Sequence, residues 1–139
     1  MTAHVTLFHA LPESERLRWQ VDLERAVAET TAFPIALGPP YSLGRGVAFR
    51  ADAQALANLR NGLRMKWVDF LGRQDLQGYR PHCTVQNKVE PSVARETLAV
   101  LAASWQPLET YAEGARLWEY QGGPWRLEAE LRFAVPASR

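Results

Sequence analysis

The sequence predicts an α+β fold, bilobal and pseudo-symmetric, in which two duplicated units of the order strand, helix, strand, strand set antiparallel sheets along a central cleft. Three observations predict it. A strand-like His-x-Thr segment occurs twice, at His4-Val5-Thr6 and at His82-Cys83-Thr84. Each copy is followed by a stretch with apolar side chains at helical spacing, and then by extended segments carrying turn signals. The chain has 139 residues, 47% of them hydrophobic and 22% charged, which suits one domain of ordinary globular composition. Two such short units bury enough surface only when packed together. One domain over residues 1–139 is therefore expected, with a first lobe over about 1–51, a linking helix over about 52–72 and a second lobe over about 79–139.

The elements follow in order. His4 to His9 is rich in β-branched and aromatic residues and reads as a strand ended by Leu11-Pro12. Glu13 to Thr31 reads as a helix: Ser14 is a candidate cap, and Trp19, Leu23, Ala26 and Thr30 recur at helical spacing. Phe33 to Leu37 is apolar and extended, and after Pro39-Pro40 the run Tyr41 to Arg50 reads as the second arm of a hairpin. Asp52 is a candidate cap for the next helix, whose Leu56, Leu59, Leu63, Trp67 and Phe70 share a face and which Gly72 closes. A turn at Asp75 to Gly78 precedes the extended segment Arg80 to Gln86. Pro91 opens a helix with Ala94, Leu98, Leu101 and Trp105 on one side. Two strands, about Ala115 to Tyr120 and Trp125 to Val135, flank the turn Gln121-Gly122-Gly123-Pro124.

Composition excludes several functions. Sixteen Lys and Arg against fifteen Asp and Glu leave a formal charge of +1, too little for a duplex-DNA binder or a polybasic membrane-surface protein. The positive charge is local, because residues 50–80 carry a surplus of +3 leading into the second His-x-Thr. Cys83 is the only cysteine, so a disulfide scaffold and a Cys-rich zinc site are both excluded. No apolar run is long enough to span a membrane and the N-terminus lacks a signal-peptide pattern, so a cytoplasmic protein is expected, and a monomer is expected beside that.

In a strand, residues two apart share a face. His4 and Thr6 thus point one way and Val5 the other, and His82 and Thr84 do the same with Cys83 behind them. Each unit offers an imidazole beside a hydroxyl. Imidazole is the side chain that changes charge near neutral pH, so two of them can serve as base and acid in one turnover. The hydroxyls donate hydrogen bonds to phosphoryl oxygens as charge builds, so phosphoryl chemistry needs neither metal nor cofactor here. A zinc site built from His4, His9 and His82 is disfavoured, because alternation puts His9 on the face opposite His4.

These residues resemble a known group, the 2H phosphoesterases, and within it the LigT-like or 2′-5′ RNA ligase branch. The likeness rests on His4-Val5-Thr6-Leu7-Phe8 and on the more distinctive Tyr79-Arg80-Pro81-His82-Cys83-Thr84-Val85. It implies a bilobal α+β fold with both motifs lining a cleft, no metal, and action on 2′,3′-cyclic phosphates or 2′-5′ linkages. The partner is then a nucleotide 2′,3′-cyclic phosphate or an RNA end. His4, Thr6, His82 and Thr84 would be catalytic, with His82 as base and His4 as acid by analogy within the family.

Four further residues are candidates for substrate binding. Arg80 and Gln86 fall on the strand face of His82 and Thr84. Phe8 shares the face of His4 and Thr6, and Tyr41 lies near a hairpin turn, so each is a candidate for stacking on a base, with cleft-lining packing as the alternative. The first motif begins three residues from the start of the sequence, where a strand is expected to fray. Two other readings stand beside the enzyme: a phosphate-binding module without turnover, suggested by that fraying strand, and a phosphodiesterase acting on a metabolite unrelated to RNA, suggested by the weak overall charge and small size.

Overall fold

Apolar side chains every fourth residue create the first helix. The structure, a computed structural model, describes residues 3–136, and a 3-10 turn at Glu13–Glu15 leads into α1 (Arg16–Ala28). Trp19, Leu23 and Val27 are buried along one side of α1. The helix starts later and stops earlier than expected, and Ser14 does not cap it. The Trp19 indole N–H instead holds the Pro12 carbonyl at 2.8 Å, which fixes the entry, while the Thr30 hydroxyl donates to the Ala26 carbonyl at 2.6 Å.

Two strands follow, β1 (Phe33–Ser42) and β2 (Val47–Asp52). Tyr41 closes the first arm rather than opening the second, because an irregularity between Leu37 and Pro40 lets β1 absorb the Pro39-Pro40 pair. Gly44, at φ 86°, makes the turn. At Gly46 a Cβ would collide with the Gln86 carbonyl, so only glycine lets these backbones approach.

Helix α2 (Gln54–Lys66) buries Leu56, Leu59 and Leu63. Asp52 remains in β2, leaving Ala53 at the cap position. The helix ends before Gly72 because Trp67 leaves helical geometry (φ −110°, ψ 11°) and turns its ring into the core, where it is fully buried and donates to Asp22 at 3.0 Å. A single turn, α3 (Arg73–Leu76), stands where a plain turn was expected, and it leads to β3 (His82–Gln86). Pro91 opens α4 (Pro91–Ser104) as expected, and α4 packs against β1 and β2. Strand β4 (Leu108–Ala112) was not expected: it is an edge strand of mostly exposed side chains and lacks the alternation that burial imposes. The predicted closing hairpin is present as β5 (Gly114–Tyr120) and β6 (Trp125–Arg132).

The result is an α+β fold. Four antiparallel strands in the order β3-β2-β1-β4 form a curled sheet, and β5-β6 form a second, smaller one. Pairing crosses between the repeats, since β2 bonds to β3 and β1 to β4. The main core lies where Trp19, Leu23 and Val27 of α1 meet Leu56, Leu59 and Leu63 of α2, together with Phe33, Ile35, Trp67 and Phe133. Among the described residues, no helix is long and apolar enough to cross a membrane.

Candidate active site

The N-terminal segment is not a full strand. Of the predicted His4 to His9 strand, one antiparallel bridge survives, between Val5 and Cys83 on the free edge of β3. That bridge lays the two His-x-Thr motifs side by side. Its register sets His4 beside Thr84 and Thr6 beside His82, with all four on the face opposite Val5 and Cys83. The two histidines then occupy diagonal positions, a separation of about 7–8 Å between backbone attachment points, wide enough to flank a phosphate. Val5 packs on the main core behind them.

Across the other edge of β3, Arg50 is the register partner of His82 and Ala48 that of Thr84, while Ala48 also pairs with Tyr41 of β1. Tyr41 and Arg50 therefore share the histidine face. The Tyr41 ring meets His82 edge-on, with centroids 6.4 Å apart and planes at 79°. His82 is half-buried, and its Nδ1 lies 2.9 Å from the Arg80 carbonyl. A carbonyl only accepts, so Nδ1 carries the proton and, in the neutral ring, Nε2 keeps its lone pair. His4, Thr6 and Thr84 are exposed.

Two of the substrate-binding candidates are placed differently from the expectation. Phe8 does not present a free face: it packs on Trp67 with centroids 5.1 Å apart, and the Arg60 guanidinium covers its ring at 4.6 Å. Alternation from Thr6 fails because the segment has only one bridge to hold a strand geometry. Gln86 leaves the face of Thr84, since an irregularity between Val47 and Ala48 pairs it with buried Val47, and its Oε1 is buried without a hydrogen-bond partner. Arg80 and Tyr41 both line a cavity of about 1090 Å³ that opens beside His82.

The sequence reading missed the residues that hold the first motif in place. Asp75 is buried, and its carboxylate accepts the backbone N–H of His9 at 2.9 Å and that of Ala10 at 3.1 Å, together with His9 Nδ1 at 3.0 Å. Arg60, also buried, donates to the Leu7 carbonyl at 3.2 Å and the Asp75 carbonyl at 2.6 Å, while its guanidinium lies between the rings of Phe8 and Tyr79. The Tyr79 hydroxyl donates to the Thr6 carbonyl at 2.8 Å. Burial pushes the Tyr79 phenol up to about 12 and pulls the Arg60 guanidinium down, the Asp75 charge opposing the latter. From Thr6 to Ala10 the chain is thus anchored at nearly every residue. One signal was available: Arg60 sits four residues after Leu56 and three before Leu63, on the buried stripe of α2.

The chain is similar in fold to TT0787 of Thermus thermophilus, with a TM-score of 0.63 and 19% identity over 96% of this chain and 79% of that one. It is similar also to a protein described as a phosphoesterase, with a TM-score of 0.58 and 15% identity over 95% of this chain and 77% of that one. Both likenesses show the fold: a mixed α+β chain with a curled antiparallel sheet. The profile of the 2′-5′ RNA ligase superfamily matches residues 1–124, and the chain belongs to that superfamily. No curated protein matches it.

Proposed function

We propose that the protein is a cytoplasmic phosphoesterase, acting as a monomer, that opens 2′,3′-cyclic phosphates on nucleotides or RNA ends with two histidines and no metal. The observation that supports this reading is the Val5–Cys83 bridge, whose register runs the backbone of His4 and Thr6 alongside that of Thr84 and His82. His82 is the base: with Nδ1 tied to the Arg80 carbonyl, Nε2 takes the proton of an attacking water. The water oxygen bonds to phosphorus, the bond to one ribose oxygen breaks, and His4 delivers a proton to that departing oxygen. Thr6 and Thr84 hold the non-bridging oxygens as charge builds. Tyr41 and Arg80 line the approach. The same steps with a ribose 5′-hydroxyl in place of water, and the 3′ oxygen leaving, form a 2′-5′ linkage.

Hydrolysis of the four 2′,3′-cyclic nucleotides in EDTA, with 2′- and 3′-phosphate products resolved, tests the reading. Turnover in EDTA supports it, and the product isomer identifies the oxygen that leaves. Binding of these nucleotides without hydrolysis would instead assign a phosphate-binding module.

A further inference from the structure

The cavity beside His82 adjoins the histidine face and shares Tyr41 and Arg50 with it. Its walls are Tyr41 of β1, the end of β2, the side of α2 that runs from Gln54 to Arg64 and the segment 76–81, and neither His-x-Thr motif contributes to them. Its charged lining is mainly cationic. Arg50, Arg60, Arg64 and Arg80 all reach it, against one carboxylate, Asp52. None of the four takes part in an ion pair among the described residues. Arg60 and Arg64 are engaged with backbone carbonyls, Arg64 with that of Leu76 at 2.8 Å. Arg50 and Arg80 have exposed side chains and no side-chain hydrogen bond to the rest of the described chain. Guanidinium forks gathered without carboxylate partners match phosphate oxygens.

The position of these arginines says which phosphate. Arg50 is the cross-strand partner of His82, and Arg80 is two residues before it, with its carbonyl on the imidazole. A phosphate held by the histidine face and a second phosphate held by Arg50 and Arg80 would therefore be neighbours. On the proposed substrate the neighbouring phosphate is the one on the 5′ oxygen of the reacting nucleotide. Tyr41, in the same wall, offers a ring to that nucleotide.

We propose that this cavity is a second phosphate subsite, which takes the 5′ phosphate of the reacting nucleotide and so selects RNA 3′ ends over nucleoside cyclic phosphates. The inference rests on the proposed function and adds the length of its substrate. In RNA the group bound is an internucleotide phosphodiester, and in a free nucleotide it is a 5′-monophosphate.

The test compares three substrates in EDTA: a nucleoside 2′,3′-cyclic phosphate, the same compound carrying a 5′-phosphate, and a dinucleotide ending in a 2′,3′-cyclic phosphate. In the unaltered protein kcat/KM rises by about tenfold from the first to the other two. Arg50→Gln removes that gain, lowering kcat/KM on the second and third substrates about tenfold more than on the first. A gain confined to the dinucleotide would overturn the phosphate assignment, as would equal turnover of all three or an equal loss on all three in Arg50→Gln. A binding measurement separates this failure from failure of the activity itself. Calorimetry with a nucleoside 3′,5′-bisphosphate and a nucleoside 3′-monophosphate should show tighter binding of the bisphosphate, lost in Arg50→Gln, whether or not any substrate turns over. Equal affinity for the two compounds would remove the subsite even if the cyclic phosphates are hydrolysed.

Discussion

One carboxylate oxygen of Asp75 receives both the backbone N–H and the ring Nδ1 of His9, at 2.9 and 3.0 Å, across 66 residues of sequence. Because that oxygen accepts, His9 Nδ1 is the protonated nitrogen. Asp75 itself is 2% exposed, so its charge is satisfied almost entirely by this contact, by the Ala10 amide and by the nearby Arg60. The contact joins α3 to the segment that carries the first His-x-Thr motif. It tethers the residues that follow that motif to the buried carboxylate.

Asp75→Asn should therefore loosen the first motif without dismantling the fold. An amide keeps the size but presents one acceptor where two are used, at a cost of about 1–3 kcal/mol in urea unfolding. Hydrogen exchange at the His9 and Ala10 amides should accelerate more than exchange at the Trp19 or Leu23 amides of α1. Turnover of a cyclic nucleotide should fall by about tenfold as the motif loses its alignment. Unchanged exchange at His9 and Ala10 would show that other contacts fix the segment.

Tyr79 gives the fold an alkaline limit. An unfolded phenol ionises near pH 10, whereas burial raises that of Tyr79 to about 12. Between these values the folded chain holds the proton more tightly, so the stability it contributes is present below about pH 10 and is lost as pH rises through about 12. Phenolate absorbance should report this titration. Tyr79→Phe should lose the hydrogen bond to the Thr6 carbonyl, about 0.5–1.5 kcal/mol at neutral pH, and should show a shallower decline of stability above pH 10. An identical alkaline decline in the variant would assign the effect to other groups.

Trp67 joins the core to the site. It is fully buried, it donates to Asp22, and its ring stacks on Phe70 at 5.9 Å and meets Phe8 at a tilt at 5.1 Å. Trp67→Ala should cost about 3–5 kcal/mol in chemical denaturation. A loss below about 1 kcal/mol would mean that Phe8 and the neighbouring leucines close the cavity, contrary to the packing described.

The fold class, the helical faces of α1 and α2, the opening of α4 at Pro91 and the closing hairpin were legible because each rests on a local signal: apolar spacing, proline at a helix start, or a glycine-rich turn. Strand β4 was not, since an exposed edge strand carries no burial pattern. The side-chain directions of Phe8 and Gln86 followed from strict alternation, which fails where one bridge replaces a strand and where pairing is irregular. The roles of Asp75, Arg60 and Tyr79 depend on contacts between residues far apart in sequence, which no local pattern encodes. Even so, Arg60 on the apolar stripe of α2 marked a buried cation in need of partners.

Two-histidine catalysis is probed most closely by hydrolysis of a nucleoside 2′,3′-cyclic phosphate in EDTA by the unaltered chain and by His4→Ala, His82→Ala and His9→Ala. His4→Ala and His82→Ala should each lose roughly a hundredfold or more in kcat with the fold intact by circular dichroism. His9→Ala, whose backbone N–H still reaches Asp75, should lose far less. Equal losses in His9→Ala and His4→Ala, or full activity without His82, would refute a mechanism built on the paired His-x-Thr motifs.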